Sequence, residues 1–200
     1  NKGVERKLRT QTLEDIFRMF EAQRFSIEQN CLKPLIDTHL IKRFEIETSY
    51  AMSNKEYFYT PRDKVSFLLN KKYNELERIS TIEALSRYFN VKVYGDKNWI
   101  NTENIDFQYM GYAEHYEEMF KVFHISKINL NIIRSYVDSG LPQRVFDVLG
   151  SKGFLLSNYK SDLTKLFQIG KDLVVYRDLP DLFEIVRYYL HHEEERLERS

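Results

Sequence analysis

The chain has 200 residues, 42% of them apolar, which is enough to bury the core of one domain and too few for two large lobes. Thirty Lys and Arg balance thirty Asp and Glu for a formal net charge of +0, which excludes the electrostatic footprint of a general nucleic-acid binder. A single cysteine, Cys31, excludes an internal disulfide framework and a cysteine-based zinc site, and fits a reducing compartment.

From Thr12 to Tyr59 apolar residues recur at helical spacing: Leu13, Ile16, Phe17 and Phe20, then Leu32, Leu35, Ile36, Leu40, Ile41 and Phe44. Pro34 starts or kinks the second set, and Tyr50, Tyr57, Phe58 and Tyr59 follow before Pro61. Residues 1–60 therefore read as a helical segment that packs on something else, because two helices alone bury too little surface. The chain begins at Asn1 without an initiator methionine and reads as a piece of something longer.

From Lys64 onward short apolar runs alternate with amphipathic stretches, the pattern of an α/β fold with a parallel sheet flanked by helices. The expected strands are Val65–Leu69, Val91–Tyr94, Phe107–Met110, Ile128–Ile133, Phe154–Ser157 and Leu173–Tyr176. The expected helices are Glu75–Phe89, His115–Phe123, Arg144–Leu149, Asp162–Phe167 and Asp181–Arg199. The domain boundary falls at 60/61. The charge run His191–Arg196 reads as the solvated end of the last helix. No apolar run approaches the ~18 residues of a membrane span, and the N-terminus lacks a secretory pattern. The expectation is a cytoplasmic protein with no membrane span and no nucleic-acid partner.

Absences narrow the chemistry. Gly150-Ser151-Lys152-Gly153 and Gly170-Lys171-Asp172 lack phosphate-loop spacing, and no G-x-G-x-x-G, nucleophile elbow, H-E-x-x-H or D-x-D pair occurs. His39, His115, His124, His191 and His192 show no metal-ligand spacing and read as surface or partly packed side chains. No metal and no cofactor are expected.

The informative stretch is Ser139–Gly150, SGLPQRVFDVLG. A glycine and a proline before a helix leave backbone N–H groups pointing outward at the positive end of the dipole, a geometry that attracts phosphate. Arg144 adds a planar double donor for the same anion. Asp147, three residues on and on nearly the same face, is placed to accept from two vicinal ribose hydroxyls. Together these describe a nucleoside diphosphate site, provided that the turn is open and its amides are not already engaged. The same spacing fits an ordinary strand–loop–helix connection with an Arg144–Asp147 surface pair.

The run from about Lys127 onward, SKINLNII…GLPQRVFDVLGSKGFLLSNYKSDLTKLFQIGKDLVVYRDLPDLFEIVRYYLHHEEER, resembles the C-terminal half of the CgeB-like (spore maturation protein) glycosyltransferases, group 1 enzymes of GT-B fold. Upstream, Glu77-Arg78 with LSRYFNVKVYGD and then FQYMGYAEHYEEMFKVFHISKINLNI are similar to the preceding helix, turn and strand of that family. The resemblance spans roughly residues 60–200, and RVFDVLG…GFLLSNY is its most specific element. It implies a Rossmann-like lobe, residues 61–200, that binds a nucleoside-diphosphate sugar without a metal. It puts the donor diphosphate at Gly140, Leu141 and Arg144, with Arg78 as a further phosphate contact. It puts the ribose at Asp147 and the base near Gly111 and Tyr112. The catalytic base belongs to an N-terminal lobe missing from this length of chain, so the isolated chain is expected to bind donor and not to turn over.

Two positions depart from the family pattern. Many retaining members have glutamates eight positions apart where this chain has Ser139 and Asp147, which leaves the stereochemical outcome open. Members often read G-G where this chain has Lys152-Gly153. The alternative function is a non-catalytic α/β interaction module docking through its N-terminal helices, on a partner or as a homodimer. A receiver-type domain is disfavoured because Leu68-Leu69-Asn70-Lys71 supplies no acidic cluster.

Overall fold

A computed structural model of the chain describes residue 18 and residues 61–200, apart from 103–105, 116, 136 and 138. The helices expected within residues 12–59, and Tyr50, Tyr57, Phe58 and Tyr59, lie outside the described residues. The chain divides into two compact units, Asn1–Glu75 with Ser135–Asp138, and Leu76–Arg134 with Ser139–Ser200.

Helix α1 spans Pro61–Ser86, with proline in the first turn, where its missing N–H costs nothing. It corrects the strand expected at Val65–Leu69. A short apolar run does not distinguish strand from helix, and here the helical period wins. Ser66, Leu69, Asn70, Tyr73 and Asn74 are all buried at spacings of three and four. Three of those five are polar, so hydropathy does not reveal the stripe.

Their buried groups are satisfied within the first unit. Asn70 Nδ2 donates to the Ser66 carbonyl at 2.9 Å, and Asn74 Nδ2 donates to Ser135 Oγ at 3.0 Å. The Ser135 N–H donates to Asn74 Oδ1 at 2.9 Å and its hydroxyl donates to Asn70 Oδ1 at 3.1 Å. A buried amide left without partners would cost about 1–3 kcal/mol.

The second unit is a mixed α/β, Rossmann-like arrangement with two parallel sheets. Strand β1 (Lys92–Tyr94) pairs with β2 (Gln108–Gly111) through a bulge between Val93 and Tyr94. Between them a 3₁₀ turn over Lys97–Asn101 is capped by Asp96, whose Oδ1 accepts from the Asn98 N–H at 2.8 Å. Helix α2 (Glu118–Ile125) leads to β3 (Asn129–Asn131). Helix α3 (Gln143–Gly150) and strand β4 (Leu155–Asn158) come next, then α4 (Ser161–Leu166) and β5 (Val174–Tyr176). The sheet order is β3-β4-β5, all parallel, so each connection must cross over through a helix.

Strand β4 is central, and all four of its residues are buried, as a strand covered on both faces requires. Val145 and Val148 of α3, Leu163 of α4 and Leu182 of helix α5 (Leu179–His191) close over the sheet with no exposed surface. Leu85, Phe154, Leu156, Val174, Tyr176, Leu182 and Val186 form one contiguous core. Five of the six expected strands are present, each within a residue or two of its expected ends.

The helix expected over Asp181–Arg199 is two helices, α5 and α6 (Glu193–Glu198), broken at His192. The Tyr188 ring stacks on His192 at 3.9 Å, and its hydroxyl donates to Glu195 at 2.7 Å. Arg196 is not solvated as the charge run suggested but 4% exposed. Its guanidinium donates to the Tyr189 carbonyl at 3.1 Å and to Glu193 at 2.7 Å, which offsets burial of the charge. Among the described residues no helix is long and apolar enough to cross a membrane.

Candidate functional site

In an open parallel α/β sheet the loops leaving the carboxyl ends of the strands form the natural crevice for a ligand. Here three such loops meet around the start of α3. They are the segment after β2 (Gly111 to His115), the turn before α3 (Ser139 to Pro142) and the start of α4 after β4.

The turn before α3 is left-handed at Gly140 and open to solvent. Gly140 has φ +88°, a left-handed conformation natural to glycine, and an added Cβ would meet no atom within 4 Å, so conformation and not crowding calls for glycine there. Pro142 is the N-cap, with no side-chain cap for the first turn. The Val145 N–H turns back to the Pro142 carbonyl at 3.0 Å. Gly140, Gln143 and Arg144 are exposed, so the bend is open and not buried.

One of its amides is already engaged. The Gly140 N–H donates to Asp162 Oδ2 at 2.7 Å, while Asp162 Oδ1 accepts from Lys165 at 2.8 Å. The Lys165 hydrogen bond and then the Gly140 amide hold the Asp162 carboxyl below the usual aspartate range. In this geometry Gly140 supplies the turn, and its N–H is committed to a protein carboxylate.

Arg144 and Asp147 lie on the first two turns of α3. Arg144 has its pKa lowered, first by partial desolvation and second by the charge of Arg134, with Asp147 opposing. Asp147 acts on Arg144 through charge and not through a hydrogen bond. The Asp147 carboxylate, 12% exposed, instead faces His115, whose Nε2 lies 3.7 Å from Oδ2. The same Nε2 is 3.2 Å from Gln143 Nε2. These contacts bring the loop after β2 onto α3.

Gly111 ends β2 with φ +81°, and its carbonyl accepts the Gly95 N–H at 2.9 Å. Tyr112 next to it is 78% exposed, an unburied aromatic face beside the turn. Arg78 lies partly buried within α1 and does not follow a strand, because the strand expected before it is helix.

Three contributors were not singled out from sequence. Asp162 read only as a helix start, Arg134 as a linker residue and His115 as a lone imidazole. Each lies three or four residues beyond the end of a strand, and that position was the available signal. Among the described residues no group of three His, Cys, Asp or Glu side chains gathers as a metal site.

Comparison with known proteins adds one finding. A family model described as glycosyl transferase-like matches residues 76–199, a span that contains Arg78, Gly111, Tyr112, His115 and the whole of α3 with its turn. No curated protein and no solved structure matches the chain. A match over more than half of the chain, on a Rossmann-like α/β scaffold, settles the family: the chain belongs to the glycosyl transferase-like family.

Proposed function

We propose that this is the donor-binding lobe of a CgeB-like glycosyltransferase, which holds a nucleoside-diphosphate sugar for transfer to an acceptor hydroxyl. The observation that supports the reading is the exposed first turn of α3, whose N-cap Pro142 offers it no side-chain cap and which is fed by the left-handed Gly140, with Arg144 and Asp147 on successive turns. An anion at this end gains from the helix dipole and from first-turn N–H groups that have no intrahelical partner.

In this reading the Leu141 amide and Arg144 bind the diphosphate and Gly140 shapes the turn. Asp147 accepts from the ribose hydroxyls, the base lies near Gly111 and Tyr112, and Arg78 is a further phosphate contact. During transfer negative charge builds on the leaving diphosphate, and preorganised amides and a guanidinium lower the barrier by stabilising that charge without reorganising. The attacking hydroxyl needs a base from a second lobe, so the 200-residue chain binds donor without turning over. A cytoplasmic setting, where activated sugars are made, belongs to the same reading.

Calorimetric titration with UDP and GDP tests it. The expected result is saturable binding of one of them. Arg144→Ala should weaken it by about 10- to 100-fold, the worth of a charge-assisted bidentate contact of about 1.5–3 kcal/mol. Asp147→Ala should weaken it as well. Absence of binding by both nucleotides overturns the proposal, and sugar transfer by the isolated chain overturns its inactivity.

A further inference from the structure

His115 is the residue through which the loop after β2 touches α3. Its ring lies against Phe120 of α2, centroids 6.2 Å apart at 60°. Its Nε2 sits between two α3 side chains one turn apart, Gln143 at 3.2 Å and Asp147 at 3.7 Å. Gln143 and Asp147 are at i and i+4, so they share one face of the helix.

The hydrogen-bonding arithmetic favours one arrangement. If Nε2 carries no hydrogen, its lone pair faces the Asp147 carboxylate, two acceptors opposed. If Nε2 carries the hydrogen and the Gln143 amide turns its oxygen inward, Nε2 donates to Gln143 at 3.2 Å and points the positive end of its N–H at the Asp147 carboxylate 3.7 Å away, a charge contact longer than a hydrogen bond. That arrangement steadies the Asp147 carboxylate by charge and does not consume its capacity to accept from an incoming hydroxyl.

We propose that His115 is a positioning residue of the donor site: by holding Asp147 Oδ2 and Gln143 together it aims the carboxylate at the ribose and sets the preference for ribo- over 2′-deoxyribonucleotides. The inference rests on the donor-site reading and adds a residue that the reading does not contain. It also ties the loop carrying Gly111 and Tyr112 to the carboxylate, so the two ends of a bound nucleoside are gripped by one connected unit. A His115 that merely packed on Phe120 would have no reason to affect sugar discrimination.

The test compares affinities of UDP, 2′-deoxy-UDP, GDP and 2′-deoxy-GDP for the full 200-residue chain. The variants are His115→Phe, which keeps a ring against Phe120 and removes Nε2, His115→Gln, which restores a donor, Asp147→Ala and the double variant His115→Phe/Asp147→Ala. The expected outcome is a ribo preference of about tenfold in the parent, the scale of a hydrogen bond to a charged group. It should collapse to about twofold in His115→Phe and largely return in His115→Gln. In the double variant it should match Asp147→Ala alone, because the histidine acts through the carboxylate. If His115→Phe keeps the full preference while Asp147→Ala loses it, this inference fails and the donor site stands. If His115→Phe does not fold, failure of His115→Gln to retain the preference of the parent overturns the inference in its place. If the parent binds none of the four nucleotides, the donor-site reading fails and the inference with it.

Discussion

Asn158 completes the backbone pairing of Ile133. Its Oδ1 accepts the Ile133 N–H at 2.7 Å and its Nδ2 donates to the Ile133 carbonyl at 3.0 Å, although the last backbone partners of the β3–β4 pair are Asn131 and Ser157. A side-chain amide thus extends the ladder two residues beyond the strand and fixes the direction in which the chain leaves the sheet. The next residue is Arg134. Removing the amide leaves two buried backbone groups without partners, each costing about 1–3 kcal/mol. Asn158→Ala and Asn158→Leu should therefore both lower stability by about 2–4 kcal/mol in urea titration. Leu fills the volume, so similar losses in the two variants assign the cost to hydrogen bonding and not to a cavity.

Legibility from sequence follows the same division between burial and polar pairing. β4 was readable because Phe154, Leu155 and Leu156 form an apolar run bounded by Gly153 and by Asn158. The Gly140–Asp147 turn and helix were readable because glycine, proline and a helical period coincide. The strand expected at Val65–Leu69 failed because three of the five buried residues at the start of α1 are Ser66, Asn70 and Asn74, and Asn70 and Asn74 find in Ser135 a partner 65 and 61 residues away. Likewise nothing local to His115 points to Asp147, 32 positions on. Hydrogen bonds between distant segments carry no periodic signal, so the part of the site built from them emerges only once the chain is folded.

Arg134 bears on the proposed donor site through Arg144. After desolvation its positive charge is the next influence lowering the Arg144 pKa, so the two guanidinium groups repel. An anion between them relieves that repulsion. Arg134→Gln should then weaken UDP or GDP binding by about tenfold and flatten its salt dependence, since one fewer charge is screened. Measuring Kd across a range of KCl concentrations checks both. An unchanged slope would mean that Arg134 does not sense the bound anion.

The Asp162–Gly140 contact has a definite pH dependence. The carboxyl pKa is depressed in the folded chain by Lys165 and by the Gly140 amide, so the ionised form is the bonded one. A depressed folded pKa contributes stability that is complete above the unfolded aspartate value and is lost as pH falls through the lowered folded value. The Gly140 amide resonance should therefore titrate with a midpoint below that of an ordinary aspartate. In Asp162→Ala the resonance should lie at the position of a solvent-exposed amide at every pH. Nucleotide affinity in this variant reports whether the carboxylate shapes the turn or competes for it: weaker binding indicates shaping, tighter binding competition.

The Lys152-Gly153 pair gives opposite predictions for adjacent residues. Lys152 has φ +55°, where a side chain costs about 1–2 kcal/mol relative to ordinary backbone. Lys152→Gly removes that strain but adds about 0.5–1 kcal/mol of unfolded-state freedom. The net gain should be small, between zero and about 1.5 kcal/mol. Gly153 has no such latitude. A Cβ there would lie 2.6 Å from the Phe123 carbonyl oxygen and 2.8 Å from Asn129 Nδ2, and that oxygen already accepts from the same Asn129 amide at 2.8 Å. Relief of the clash would have to move the end of α2 away from the start of β3 or break this bond. Gly153→Ala should accordingly cost more than about 2 kcal/mol, from overpacking of about 1–3 kcal/mol together with the lost hydrogen bond. Thermal melts of the two single variants check the pair: Tm should rise slightly for Lys152→Gly and fall by several degrees for Gly153→Ala. Equal and small shifts for both would show that α2 yields to the extra methyl group.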